Sequence, residues 1–162
     1  MASVAAATRH TYVDRESLNH ALTSDLVGWT VSETREAPLL THVVPHRLGD
    51  IRLLEVSGNP LGAVRGRAET GDSDTYLGIL YQRSGSTLCR IDDDRVIVGP
   101  GEISVWHSER LVSFEMPEIF DKLCMIVPPS NSPEQGTSST PRCVVTISRG
   151  TQWSGRSRNP HL

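Results

Sequence analysis

His107 and Ser108 stand side by side in "VIVGPGEISVWHSERLVSF", residues 96–114, and supply the residue types of a base and a nucleophilic hydroxyl. Neighbours on an extended strand project to opposite faces, so the two side chains cannot bond each other there. His107 is therefore expected as a rim residue beside the apolar wall of Trp106. His42 and His46 are four residues apart with Pro45 between them, a spacing that separates them along one face of a strand. Asp72 and Asp74 in "GDSDTY" resemble the opening of a calcium loop, but the other ligands and the glycine are missing, so they read as a solvated loop.

A transition-metal site in a small β-barrel needs several imidazoles and a carboxylate aimed at one interior point. The opening H-x-H of such barrels has no counterpart, because no histidine lies between Arg47 and Trp106. Their second pattern, laid from Gly101, falls on His107, Glu109 and Val112, with valine at a ligand position. No metal, no cofactor and no catalytic set are expected. Cys89, Cys124 and Cys143 form no C-x-x-C and read as buried free thiols. No Walker A loop, G-x-G-x-x-G or H-E-x-x-H occurs. The remaining chemistry is binding. A small barrel can hold one ligand inside, here with Tyr76, Tyr81, Trp106 and Phe114 as wall and Arg65, Arg67 and His107 as polar anchors.

Those residues need strands to position them. Short apolar runs at 40–46, 50–57, 75–82, 86–91, 95–98, 102–106, 111–116 and 122–127, separated by turn residues, predict an antiparallel barrel or sandwich. Asp92-Asp93-Asp94 predicts one hairpin turn. Gly99-Pro100-Gly101 predicts another, with Pro100 and Gly101 at the central positions of a type II turn. Leu18, Ala21, Leu22 and Leu26 form a helical stripe within 14–27, capped by Asp14 or Ser17 and with a break near Thr23-Ser24. Residues 1–13 read as a flexible start and 129–162, rich in Ser, Pro, Gly and Arg, as a disordered tail in which Cys143 to Ile147 is one apolar island.

Charge and hydropathy narrow the function classes. Residues 1–128 carry 18 Asp/Glu against 12 Lys/Arg, an acidic body unsuited to a phosphate backbone. No apolar run approaches the roughly 20 residues of a membrane span. The first residues lack the basic and apolar regions of a secretory signal, so a cytoplasmic location is expected.

In "RLGDIRLLEVSGNP" (47–60), "DTYLGILYQRSGSTL" (74–88) and "VIVGPGEISVWHSERLVSFEMPEIFDKLCMIVPPS" (96–130), the chain resembles the N-terminal ligand-binding-like domain of bacterial AraC/XylS-type transcriptional regulators. The matching positions are Leu48-Gly49-Asp50, Asp74-Thr75-Tyr76-Leu77, Pro100-Gly101-Glu102 and the corner His107-Ser108-Glu109-Arg110. The resemblance implies a cupin-like antiparallel β-barrel that senses a small organic effector and pairs with itself or with a full-length regulator. Residues 129–162 show no periodic pattern long enough for a helix-turn-helix, so direct DNA binding is not expected of this chain. The rival expectations are a metal-dependent cupin enzyme, such as an isomerase or dioxygenase, and a non-functional truncated remnant.

Overall fold

Period-2 alternation of apolar residues places most of the chain in strands, and each strand has one face to bury. The structure, a computed structural model, describes residues 7–26, 28–32, 38–65 and 75–129. Arg67, Asp72, Asp74 and residues 130–162, including Cys143, lie outside the described residues.

In chain order the elements are β1 (His10–Tyr12), α1 (Arg15–Leu26), β2 (Thr30–Val31), β3 (Thr41–Leu48), β4 (Ile51–Gly58) and β5 (Leu61–Arg65). They continue with β6 (Leu77–Ser84), β7 (Thr87–Ile91), β8 (Asp94–Val98), β9 (Ile103–His107), β10 (Val112–Met116) and β11 (Phe120–Val127). Two antiparallel sheets result, a six-stranded one in the order β1-β3-β4-β11-β6-β9 and a five-stranded one in the order β2-β5-β10-β7-β8. The core lies between them. Leu54, Leu80 and Ile126 come from the first sheet and Val31, Ile91 and Phe114 from the second.

All eight expected apolar runs are strands, β3, β4 and β6 to β11. Three further strands had no clear signal. β5 is built from "LGAVR", where Gly62 and Ala63 dilute the β-forming character of a five-residue run. β1 falls inside the segment expected to be a loose start; it pairs with β3, Tyr12 opposite Thr41, so residues 10–12 belong to the six-stranded sheet. β2 is two residues long and pairs with β5.

The helix begins where the sequence places it, with Asp14 Oδ1 accepting the Ser17 backbone N–H at 2.8 Å. That bond is the main cause holding the Asp14 carboxyl below its ordinary value. The expected break near Thr23 does not occur, and the Thr23 hydroxyl donates to the Asn19 carbonyl one turn back at 2.9 Å. Polar clamps dock α1 on β2: Asn19 Oδ1 accepts the Val31 N–H at 2.7 Å, and Arg15 donates to the Val31 and Ser32 carbonyls. Leu18 and Leu22 are thereby turned into the core.

The two predicted hairpin turns have different outcomes. Ile91 pairs with Asp94 across a two-residue turn, with Asp92 at φ 51°, so β7 and β8 form the expected hairpin. Gly99-Pro100-Gly101 is the expected turn, closed by Glu102 N–H to the Gly99 carbonyl at 3.0 Å with Gly101 at φ 85°. It is not a hairpin. β8 is the edge of the five-stranded sheet and β9 the edge of the six-stranded sheet, so this turn carries the chain from one sheet to the other. Glu102 Oε2 accepts the Gly99 N–H at 2.7 Å, and Gln82 exchanges backbone bonds with Gly101 and Glu102, which anchors the crossing to β6.

Candidate ligand-binding site

Between the sheets, beneath α1, lies a cavity of about 40 Å³ whose lining includes Trp29, Thr41, Trp106, Phe114, Met116 and Lys122. By the same measure one water occupies roughly 10–15 Å³, so a small occupant fits without rearrangement. Leu18 and Leu22 close it from the helix.

Three aromatic rings form its wall. Trp29 stacks on Phe114 with centroids 4.7 Å apart, and Trp106 meets both edge-on, at 6.1 Å from Trp29 and 5.0 Å from Phe114. The Trp106 ring has its place because residue 78, opposite it on β6, is glycine. A Cβ there would stand 2.1 Å from Trp106 Cε2. The stacking is thus written into a cross-strand Gly–Trp pair.

Lys122 is the one lysine of the chain and is buried in this wall. On β11 the residues Phe120, Lys122, Cys124 and Ile126 all face inward, so the pleat that buries the apolar residues carries the amine with them. Its Nζ lies 3.2 Å from Met116 Sδ, 4.8 Å from the Phe114 centroid and 5.4 Å from that of Phe120. Among the described residues it forms no ion pair with a carboxylate. Burial pushes the amine below its ordinary value of 10.5. Two other lining residues carry unpaired polar atoms: Trp106 Nε1 and Thr41 Oγ1 are buried without a hydrogen-bond partner among the described residues, while the Trp29 indole N–H is directed at the Tyr76 hydroxyl.

The residues expected to bind a ligand are distributed differently. Trp106 and Phe114 line the cavity. Arg65 is buried, but its Nε donates to the Ser108 carbonyl at 3.1 Å and its guanidinium sits 5.2 Å from the Tyr76 ring. Ser108 Oγ accepts the Tyr76 N–H at 2.9 Å, so Arg65, Tyr76 and Ser108 brace the corner after β9 and lie outside the cavity lining. Burial raises the Tyr76 phenol above its ordinary value, partly opposed by Arg65. Tyr81 alternates with the inward Leu80 and Gln82 and occupies the outer face of β6. His107 is on the outer side of β9, opposite in sense to Trp106, with Glu109 Oε2 3.6 Å from its Nδ1. Gly99, Pro100 and Gly101 serve as the sheet-crossing turn already described, and Arg67 lies outside the described residues.

Trp29 and Lys122 were absent from the expected site. Alternation along "FDKLCMIV" carried a usable signal for Lys122, because it shares parity with Phe120 and Cys124. Trp29 had none, since the short connection from α1 to β2 has no periodicity to read.

The other titratable groups sit elsewhere. His42 Nδ1 bonds Thr11 Oγ1 at 2.9 Å, while His46 and Arg83 converge on Glu55 at 2.7 and 2.8 Å on the outer side of the six-stranded sheet. Cys89 and Cys124 are buried free thiols, and burial pushes Cys89 up to about 11. Among the described residues no three His, Cys, Asp or Glu side chains come together to hold a metal ion, and no helix is long and apolar enough to cross a membrane.

No protein-family model matches the chain, and no curated protein matches it. Solved structures do. The AraC-like transcriptional activator CuxR superposes with a TM-score of 0.62 at 15% identity, over 75% of this chain and 47% of the activator. The chain therefore spans about half the length of that protein. Slighter likenesses are to a cupin superfamily protein from Desulfitobacterium hafniense DCB-2 (TM-score 0.44, 11% identity, 60% of this chain and 84% of that one). An oxalate decarboxylase mutant from Bacillus subtilis gives 0.42 at 14% identity, over 57% and 26% of the two chains. The likeness to the activator is one of fold alone: the described residues form a mainly antiparallel, two-sheet β structure with one helix.

Proposed function

We propose that this chain is the effector-sensing domain of an AraC-type transcriptional regulator, taking a small organic molecule between its two sheets. The observation that carries the reading is the interior wall itself, in which Trp29, Trp106 and Phe114 surround an almost wholly apolar cavity whose lining includes one lysine. Apolar walls with a few convergent polar groups are the ordinary make-up of a small-molecule site. The fold shared with an AraC-like activator supports the regulatory half of the reading, which fold alone does not establish. On this reading the domain is not an enzyme, binds no DNA itself, and transmits its state through a partner, either a second copy or a full-length regulator.

A thermal-shift screen of the full chain against small organic acids, amides, amines and sugars tests this. A ligand selective for the folded state at 100 times its Kd adds about 2.7 kcal/mol and raises Tm accordingly. Stabilisation by one chemical class, with no turnover of that compound, is the expected result. Stoichiometric iron, manganese, nickel or zinc in the purified protein, with activity dependent on it, would move the assignment to a metal-dependent cupin enzyme.

A further inference from the structure

Independently of the effector reading, we infer that two copies of this chain pair through the outer face of the six-stranded sheet, stacked face to face about a two-fold axis that runs along β11.

The outward side chains of an antiparallel sheet are ordinarily polar, because that face meets water. The five-stranded sheet follows this habit, with Ser113, Glu115, Arg90 and Arg95 on its outer face. The six-stranded sheet does not. Leu53, Met125, Ile79 and Val105 lie side by side across β4, β11, β6 and β9, all on the outer face. Leu123, Tyr81 and Ile103 form the next row, which Glu55 extends to Val44 on β3. On the other side Val127 pairs with Leu77, and Leu48 with Ile51. Leu48 is 67% and Leu77 40% exposed. Among the described residues no helix covers these rows, since α1 docks on β2 and turns its leucines into the core.

Strands about 4.8 Å apart and outward residues about 6.8 Å apart along each strand give three rows over five strands a projected area of roughly 500 Å². A specific interface needs at least about 1,000 Å² in total, or about 500 Å² from each partner. Contiguous apolar surface on this scale marks an interaction site.

A second copy fits this face. The rows run over β3-β4-β11-β6-β9, and β11 is the middle strand of the five. Half a turn about β11 therefore lays the apolar rows of one copy on those of the other, with β4 over β6, in the aligned stacking of a β-sandwich. The charges beside the rows are self-complementary under the same rotation. Arg83 of β6 bonds Glu55 of β4 at 2.8 Å and lies 3.5 Å from Asp121 of β11. Exchanging β4 and β6 brings each copy's Arg83 towards the other's Glu55, so that opposite signs meet twice. Residues 130–162 offer a smaller cover: their longest apolar island, Cys143 to Ile147, extends over about 17 Å on one line.

Sedimentation equilibrium of the full chain from about 1 to 200 μM tests the pairing, within the range where a dissociation constant of micromolar order is read. A mass twice the 17.8 kDa of one chain is expected. Met125→Lys sets an unpaired charge at the centre of the apolar rows and should weaken the dimer by about 100-fold or more. Ile97→Lys, at a 69% exposed position on β8 of the other sheet, should leave it unchanged. Arg83→Glu and Glu55→Arg should each weaken self-association, and a mixture of the two variants should pair with itself as a heterodimer. That mixture tests the register without reliance on the folding of Met125→Lys. A monomer at 200 μM overturns the inference and leaves the face to a different protein or to further chain. A dimer that survives Met125→Lys, or one lost in Ile97→Lys, places the interface elsewhere and also overturns it. Failure of the two charge variants to pair overturns the two-fold along β11.

Discussion

The side-chain nitrogen of Lys122 sits 4.8 Å from the centre of the Phe114 ring, in a lining where β11 of one sheet faces β10 of the other. That relationship makes a lysine part of the hydrophobic core, and it has a direct consequence for stability.

Lys122→Met keeps the length of the side chain and removes the buried nitrogen. The variant should be more stable at neutral pH, by about 1–4 kcal/mol, as found when buried charges give way to well-packed apolar groups. The gain depends on pH. The folded-state value of Lys122 lies below 10.5, so the unfolded chain binds more protons between the two values and wild-type stability rises with pH there. The difference between variant and wild type should therefore shrink as pH approaches 10.5. Urea unfolding of both proteins across this range measures it.

Gly78→Ala tests the pairing that seats Trp106. The added carbon would stand 2.1 Å from Trp106 Cε2, and that ring is held on its other sides by Trp29 and Phe114. Overpacking of this kind costs about 1–3 kcal/mol. Denaturant titration should show the loss, with altered tryptophan fluorescence and weaker binding of any interior ligand.

Ser108→Ala removes the acceptor of the Tyr76 N–H at a buried corner. Leaving that donor unsatisfied costs about 1–3 kcal/mol. Hydrogen exchange at the Tyr76 amide should accelerate strongly. Ligand binding between the sheets should change little, because Ser108 does not line the cavity.

Glu55→Gln probes the outer ion network. The hydrogen bond from Arg83, and next that from His46, hold the Glu55 carboxyl below 4.5. Its contribution to stability is present above 4.5 and lost as pH falls through the lower folded-state value. The side chain is 33% exposed, so solvent screening keeps the effect below about 1 kcal/mol. Acid titrations followed by circular dichroism should show a smaller stability loss below pH 4.5 in the variant than in wild type.

The sequence alone determined the local geometry. Alternation marked eight strands, Asp14 marked the helix start, and Pro100-Gly101 marked a type II turn, because pleat parity, capping and φ preference are properties of neighbouring residues. Only the tertiary structure decided which strands the turns join and which side chains meet. The Gly99-Pro100-Gly101 turn looked like a hairpin, yet it joins two sheets, since strand partners are chosen by burial of both faces across the whole chain. Arg65 and Tyr76 had the types of ligand contacts but are used to brace a corner, whereas Lys122 shares the cavity with Trp29 and Met116. A cavity is the space left where α1 and the two sheets fail to fill one another, and no stretch of neighbouring residues encodes it.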